Sequence, residues 1–378
     1  MNILILGDGP EELAWAYALR EHPQHRLAAA CPGFKSMPDV PGGNDLDAAL
    51  AINGLDAVIC GGDPALRSEG LRRAASTGMR AIALHPPGPN ADPYYQVALS
   101  RQENGAIVVP DLPARLHPGV ATLEKALNEG KPNANRTVRY ELEVGPDPDP
   151  SRGDLVGWVL PRVLDVVRAL IGEIQAVTAT GIPAGDHPTD SLVVQLRGAG
   201  GLQGEIRISA GPNERASLSV SSGASPLALD HDLDFRGPSR LIRGSFHDPH
   251  GVSAIELGTW DAKSAILRVL EDASPDHEPS PGLTDGTRAM EVAEAAARSL
   301  RRGRTIDLYY EEMSEVGNFK SVMTSVGCGL LLGTMFLMFA VAAAKSLGLD
   351  WAVYVAWIIP PVLVLFILFQ FLRYAIKT

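Results

Sequence analysis

The chain of 378 residues is poor in cysteine, with three, and in aromatic side chains, at 6%. Cys31, Cys60 and Cys328 share no metal-ligand spacing and form no disulfide framework. Cys31 and Cys60 fall in predicted strands and are expected as small core residues. Positive charge is also short: 33 Lys and Arg face 44 Asp and Glu, for a net charge of -11. Neutralising phosphates takes clustered cations, so a nucleic-acid partner is excluded. No G-x-S-x-G elbow, Walker loop or zinc spacing occurs. The opening residues carry no basic run, and their apolar stretch is too short for an export signal, so the N-terminal part is expected in the cytoplasm.

What is present begins at once. Ile3-Leu4-Ile5-Leu6 reads as a strand buried on both faces. Gly7-Asp8-Gly9-Pro10 follows, then Leu13, Ala14, Tyr17 and Ala18 at helical spacing. Strand, glycine turn and helix start make the opening of a dinucleotide-binding unit, where backbone N–H groups approach a pyrophosphate. Gly7, Gly9 and Pro10 are the candidate contacts. The third glycine of G-x-G-x-x-G is replaced by Glu12. The turn therefore reads either as a nucleotide site or as a strand–helix turn that needs glycine for its backbone alone.

Strands are predicted at 26–31, 56–60, 80–84 and 106–109, and helices at 45–55, 65–77 and 94–104. Their alternation forces a parallel, doubly wound sheet. The second strand ends in Cys31-Pro32-Gly33 and offers no carboxylate to a ribose, while Lys35 could meet a 2′-phosphate. From Leu112 the pattern changes: a helix at 118–128, a strand at 137–144, a turn-rich loop at 145–150 and an apolar helix at 155–171. Short alternating segments then accumulate at 174–180, 191–196, 204–209, 216–221 and 240–246, a mainly antiparallel sheet. A Pro-rich loop at 272–281 and an alanine-rich helix at 287–300 complete this part. His247-Asp248-Pro249-His250 reads as a surface turn and Asp230-His231-Asp232 as a strand connection; neither is expected to hold metal. His117 is expected to cap its helix.

The C-terminus is different in kind. Residues 321–344 and 351–372 carry no charge, and each exceeds the roughly 20 residues that cross a bilayer. Lys320, Arg373 and Lys377 flank the outer ends. A transmembrane hairpin is expected, reached through a linker at 311–320, with both ends on the cytoplasmic side and lipid as its partner.

The order of these signals resembles the Gfo/Idh/MocA oxidoreductases, the family of glucose–fructose oxidoreductase and inositol dehydrogenase. Asp56–Glu69 is similar to the family's third-strand segment, with Pro64 matching its proline, Asp63 in place of a small residue and Arg67 in place of a His. Gly78–Pro86 is similar to the segment ending in Glu-Lys-Pro; Pro86 matches and His85 replaces the Lys. Arg115-Leu116-His117-Pro118 resembles the stretch that opens the second domain. Leu155–Glu173 resembles the catalytic helix with its H-x-x-D pattern; Asp165 matches, and Arg162 stands where the His belongs. Asp285–Leu308 matches the terminal helix and tail.

The resemblance implies a Rossmann-type α/β domain over 1–112 and an α+β domain with an open sheet over 113–310, which could pair two copies. It implies NAD or NADP and a sugar, cyclitol or related polyol as substrate. Gly7, Gly9, Pro10, Asp63, Pro64 and Pro86 would hold the cofactor, and His85, Arg162 and Asp165 would carry the chemistry. His85 could move a proton in place of Lys; Arg162 could only anchor charge, since a guanidinium stays protonated. Glu12, Pro32, His85 and Arg162 together replace residues that bind cofactor and react. Two readings follow: a membrane-anchored oxidoreductase transferring hydride, or a binding or scaffold module that kept the fold and lost the reaction.

Overall fold

The computed structural model describes residues 1–129, 136–145, 154–184, 187–222, 226–235, 237–244, 253–275, 277–310, 334, 336–344 and 346. The chain divides into two units, Met1–Tyr309 and Tyr310–Thr378.

The first unit opens with β1 (Asn2–Leu6), α1 (Pro10–Glu21), β2 (Arg26–Cys31), α2 (Leu46–Leu50), β3 (Ala57–Cys60), α3 (Pro64–Ser76), β4 (Arg80–Ala83), α4 (Asp92–Asn104) and β5 (Val108–Pro110). The strands pair in parallel in the order β2-β1-β3-β4-β5, so the chain reverses direction across the sheet at β1. Successive β1 side chains point to opposite faces, as a pleated strand requires. Leu4 and Leu6 join Val58, Leu71, Tyr94 and Val97 on one face. Ile3 and Ile5 join Trp15, Leu19, Ile59 and Ile82 on the other. This two-sided burial is why the strand reads as an unbroken aliphatic run.

A single turn of 3-10 helix, Pro113–Leu116, leads to α5 (Pro118–Asn128) and β6 (Thr137–Val144). A π turn, Leu155–Val159, runs into α6 (Leu160–Ile171). Then come β7 (Ile174–Ala184), β8 (His187–Gly198), β9 (Gln203–Ala210), β10 (Arg215–Ser221), β11 (Leu227–His231), β12 (Pro238–Arg243), β13 (Ser253–Thr259), α7 (Ala262–Asp272), α8 (Leu283–Arg302) and β14 (Ile306–Asp307). The second sheet runs β13-β12-β11-β10-β6-β9-β8-β7-β14. Its pairs are antiparallel except β6 with β9, so the sheet is mainly antiparallel, as expected, with one parallel pair. Leu123 of α5, Leu164 and Val167 of α6 and Val292 of α8 pack on its inner face.

Three elements escape the sequence pattern. Asp230 and His231 end β11 and are not a connection. β13 is exposed along most of its length and carries no alternating signal. Helix α7 returns to the first sheet, where Ile266, Leu267 and Leu270 lie against Ile82 and Ile107. Helix α8 serves both cores, giving Leu283 and Met290 to the first and Val292 and Ala296 to the second. The two sheets are thus riveted by helices from the end of the unit.

In the second unit, residues 336–344 are helical. The predicted span at 351–372 lies outside the described residues, as does most of 321–344. Among the described residues no helix is long and apolar enough to cross a membrane.

Leu267 is 1% exposed, so Leu267→Ala should cost about 3 kcal/mol by loss of transfer energy and a cavity. Chemical denaturation should report that loss in the transition that unfolds the first sheet.

Candidate functional site

The C-terminal ends of β1, β3, β4 and β5 converge on the crevice where an open α/β sheet binds its ligand. Gly7 leaves β1 with φ +98, and a Cβ there would meet Gly62 N at 2.3 Å. The turns after β1 and β3 therefore touch backbone to backbone, which only glycine permits. Gly9 is the N-cap of α1 and Pro10 its first residue, which has no N–H to offer.

Glu12 sits where the third glycine was expected, and its side chain is fully buried. Oε1 accepts a hydrogen bond from the Gly62 N–H at 2.7 Å, and a Cβ on Gly61 would strike Oε1 at 2.4 Å. The carboxylate therefore fills the space between the two glycine turns. Burying it demands a cation, and the partner is Arg67 of α3, 1% exposed, with Nη2 3.5 Å from Glu12 and 3.3 Å from Glu11. Arg67 Nη1 donates to the carbonyls of Pro86 at 2.9 Å and Leu84 at 3.4 Å. Burial pulls its guanidinium down, and Glu11 and Glu12 hold it charged. Glu11 in turn bonds Arg162 of α6. Trp158, in the π turn, takes both cations on its ring, Arg162 Cζ at 4.7 Å and Arg67 Cζ at 5.1 Å from the centroid. Charge thus runs unbroken from the first sheet's crevice to the second domain's helix. Sequence reasoning found Arg67 and Glu12 only as departures; their pairing links residues of two different helices and leaves no local signal.

His85 follows β4 across a cis bond to Pro86. Its Nδ1 meets the Tyr94 hydroxyl at 2.9 Å, while Nε2 has no hydrogen-bond partner. Burial, then the Arg162 and Arg67 charges, push the imidazole down to about 3; the Pro161 carbonyl opposes this without making a well-formed bond. His85 is therefore neutral near pH 7. An effective acid or base titrates near working pH, and a ring shifted this far does not.

Asp165 lies apart from this group. Arg115 Nε donates to Oδ2 at 2.7 Å, Arg115 also reaches Asp285 at 3.0 Å, and Arg168 lies 3.7 Å from Oδ1. Burial raises the Asp165 carboxyl, and the two guanidiniums hold that rise back. This cluster ties the Pro113–Leu116 turn to α6 and α8, so Asp165 tethers elements to one another. Asp63 is likewise structural: it caps α3, accepting from Ala65 N and Leu66 N at 2.9 Å each, with Pro64 behind it. Pro86 contributes its carbonyl to Arg67. Lys35 is exposed. His117 caps α5 as expected, accepting from Gly119 N at 3.0 Å.

A cleft of about 800 Å³ opens between α1 and the second sheet, bounded by Pro10, Glu11, Tyr17, His85, Asp111, Trp158, Arg162, Phe235, Trp260 and Lys263 among others. Ala14, Tyr17 and Ala18 face it. They belong to the helical stripe read from the sequence, whereas the core face of α1 is Glu12, Trp15, Ala16 and Leu19. The helix is apolar on two sides because it has two surfaces to cover. Behind the wall His231 stacks on Phe235 at 4.3 Å and His117 on the same ring at 5.3 Å. Burial lowers His117 to about 4 and lowers His231 too. The rings at and behind this cleft are thus uncharged near pH 7. The cleft can hold a molecule by hydrogen bonds and ring faces.

The fold family implies a nicotinamide cofactor, and the residues present do not fit one. A dinucleotide calls for a small third position, free first-turn N–H groups and, for NAD, a carboxylate after β2. The chain has a buried carboxylate, a proline and a second first-turn carboxylate, Glu11, and Cys31-Pro32.

No family model matches the chain, and no curated protein matches its sequence. Solved structures do match its shape. A myo-inositol dehydrogenase from Corynebacterium glutamicum is 19% identical with a TM-score of 0.67, over 82% of this chain and 99% of that one. An oxidoreductase from Agrobacterium radiobacter, solved with NAD+, L-tartaric acid and magnesium, is 16% identical with a TM-score of 0.67, over 81% and 98%. An NAD binding oxidoreductase from Klebsiella pneumoniae is 17% identical with a TM-score of 0.66, over 82% and 100%. The resemblance read from the sequence motifs therefore stands at the level of the fold.

Two outcomes follow from the buried charges. Arg67→Met should destabilise by about 3–5 kcal/mol by leaving the buried Glu12 carboxylate without its cation, and adding Glu12→Gln should recover much of it, as a double-mutant cycle in urea will show. For His85 the folded state resists the proton that the unfolded chain binds at its ordinary value of 6.5, so stability present above pH 6.5 is lost as pH falls towards about 3. His85→Gln should flatten the stability profile in that window, measured by urea midpoints at successive pH values.

Proposed function

We propose that this chain, which has the fold of the Gfo/Idh/MocA-type oxidoreductases, is a binding module: it holds a small polar molecule of sugar or polyol size in the cleft and transfers no hydride. The observation that carries this reading is Glu12, fully buried between the two glycine turns and paired with Arg67. Its neighbours reinforce it. Glu11 bonds Arg162 at the mouth of the crevice, and His85 is held neutral. The cleft volume, about 800 Å³, suits a small-molecule ligand.

Hydride transfer to or from a sugar, cyclitol or polyol is the second reading. What favours it is that fold neighbours of this chain are sugar and polyol dehydrogenases, and one is described with NADH and L-sorbose. That reading requires the Glu11–Arg162 pair to part and Glu12 to leave its pocket.

The C-terminal unit is proposed to anchor the module at the cytoplasmic face of a membrane. The support is the charge-free composition of 321–344 and 351–372, together with Phe336, Met338 and Phe339, each more than half exposed on a helix. Self-association through the open face of the second sheet is proposed with it, on the exposure of Ile182 and Ile255.

Titrating the full-length protein into NADH decides between the readings. The binding module leaves cofactor fluorescence unchanged up to roughly 1 mM, where a site worth ~4 kcal/mol would be half filled. Saturable quenching or enhancement would establish the dehydrogenase reading instead.

A further inference from the structure

The cleft is unevenly charged. Its lining has five carboxylates, Glu11, Asp111, Glu214, Asp234 and Asp261, against two cations, Arg162 and Lys263. Arg162 is bonded to Glu11, and Lys263 Nζ lies 4.3 Å from the Trp15 ring centroid. Asp261 is spent in capping α7. Asp111 differs. It follows β5 directly, beside His85 at the end of β4, and one oxygen accepts from Trp15 Nε1 at 2.9 Å. That bond fixes the side chain and leaves the other oxygen for the cleft. The second, independent feature is His85. It is 2% exposed, lines the cleft, and its Nε2 makes no well-formed hydrogen bond, the Pro161 carbonyl acting on the ring notwithstanding. A buried ring nitrogen without a hydrogen bond costs free energy that a ligand group can recover.

We infer that the cleft recognises an amine-bearing polyhydroxylated molecule, of the amino-sugar or aminocyclitol class. Its ammonium pairs with Asp111, a hydroxyl bonds His85 Nε2, and phosphorylated or carboxylated sugars are repelled. The inference rests on the binding-module reading and gives it a ligand class. The same excess of carboxylates opposes a dinucleotide's diphosphate. Trp158, Trp260 and Phe235 supply ring faces for the ligand's C–H groups.

Calorimetric titration of the full-length protein with glucosamine, glucose and glucose 6-phosphate tests this below the amine's pKa. Glucosamine should bind at least about tenfold more tightly than glucose, about 1.4 kcal/mol, and glucose 6-phosphate should give no binding heat. Asp111→Asn keeps an acceptor for Trp15 and should bring glucosamine down to the affinity of glucose. In the unaltered protein, raising NaCl from about 0.05 to 0.5 M should shrink the glucosamine preference by screening. Equal binding of glucosamine and glucose, or preference for the phosphate, overturns the amine assignment and leaves the binding reading standing. Absence of binding by all three sugars overturns both.

Discussion

A carboxylate buried at a position that dinucleotide-binding turns keep bare governs the rest of this site. Glu12 lies in the seam between the turns after β1 and β3, taking the Gly62 N–H. A charge so placed needs an opposite charge inside the same low-dielectric space, or its solvation loss is unrecovered. Arg67 meets the need, and its two terminal nitrogens also reach the Leu84 and Pro86 carbonyls and Glu11, while Nε makes no hydrogen bond. Glu11 engages Arg162, and Trp158 covers both guanidiniums. Each member is forced by the one before it, and the series ends in the second domain.

The consequences fall on chemistry and spare the framework. The five parallel strands, the crossing helices and the ion cluster around Asp165 hold the two sheets together whatever the crevice contains. What changes is the crevice itself. His85 is pushed well below neutrality and Arg162 is paired with Glu11. The neighbouring cleft stays open and polar. Fold and reaction are separable in general, because a reaction depends on a handful of side chains and the fold on the core.

Much of the fold was legible from residue patterns. The strands of the first sheet are aliphatic runs because both their faces are covered, and α5 was read with its bounds intact. β13 was not legible, since an exposed edge strand has no apolar face to alternate. Residues 262–272 were left unread although Ile266, Leu267 and Leu270 share one face of α7. His247 to His250 lie outside the described residues. Among the site residues, Gly7 and Gly9 stand at the turn the spacing implied, with Gly7 at positive φ. Asp165 matched a motif letter, yet its surroundings made it a tether: spacing along a helix says which side a residue shares, not what faces it.

The sequence by itself determined the alternation of strand and helix and the glycine turn that follows β1. These depend on periodicity and on glycine at a tight turn, both local properties. The tertiary structure alone decided what occupies the crevice. Whether Glu12 points to solvent or inward depends on a cation within reach, and that cation comes from α3. Pairing between charges on separate helices is fixed by their distance in space and by the low dielectric around them, and neither is written in the spacing of the chain.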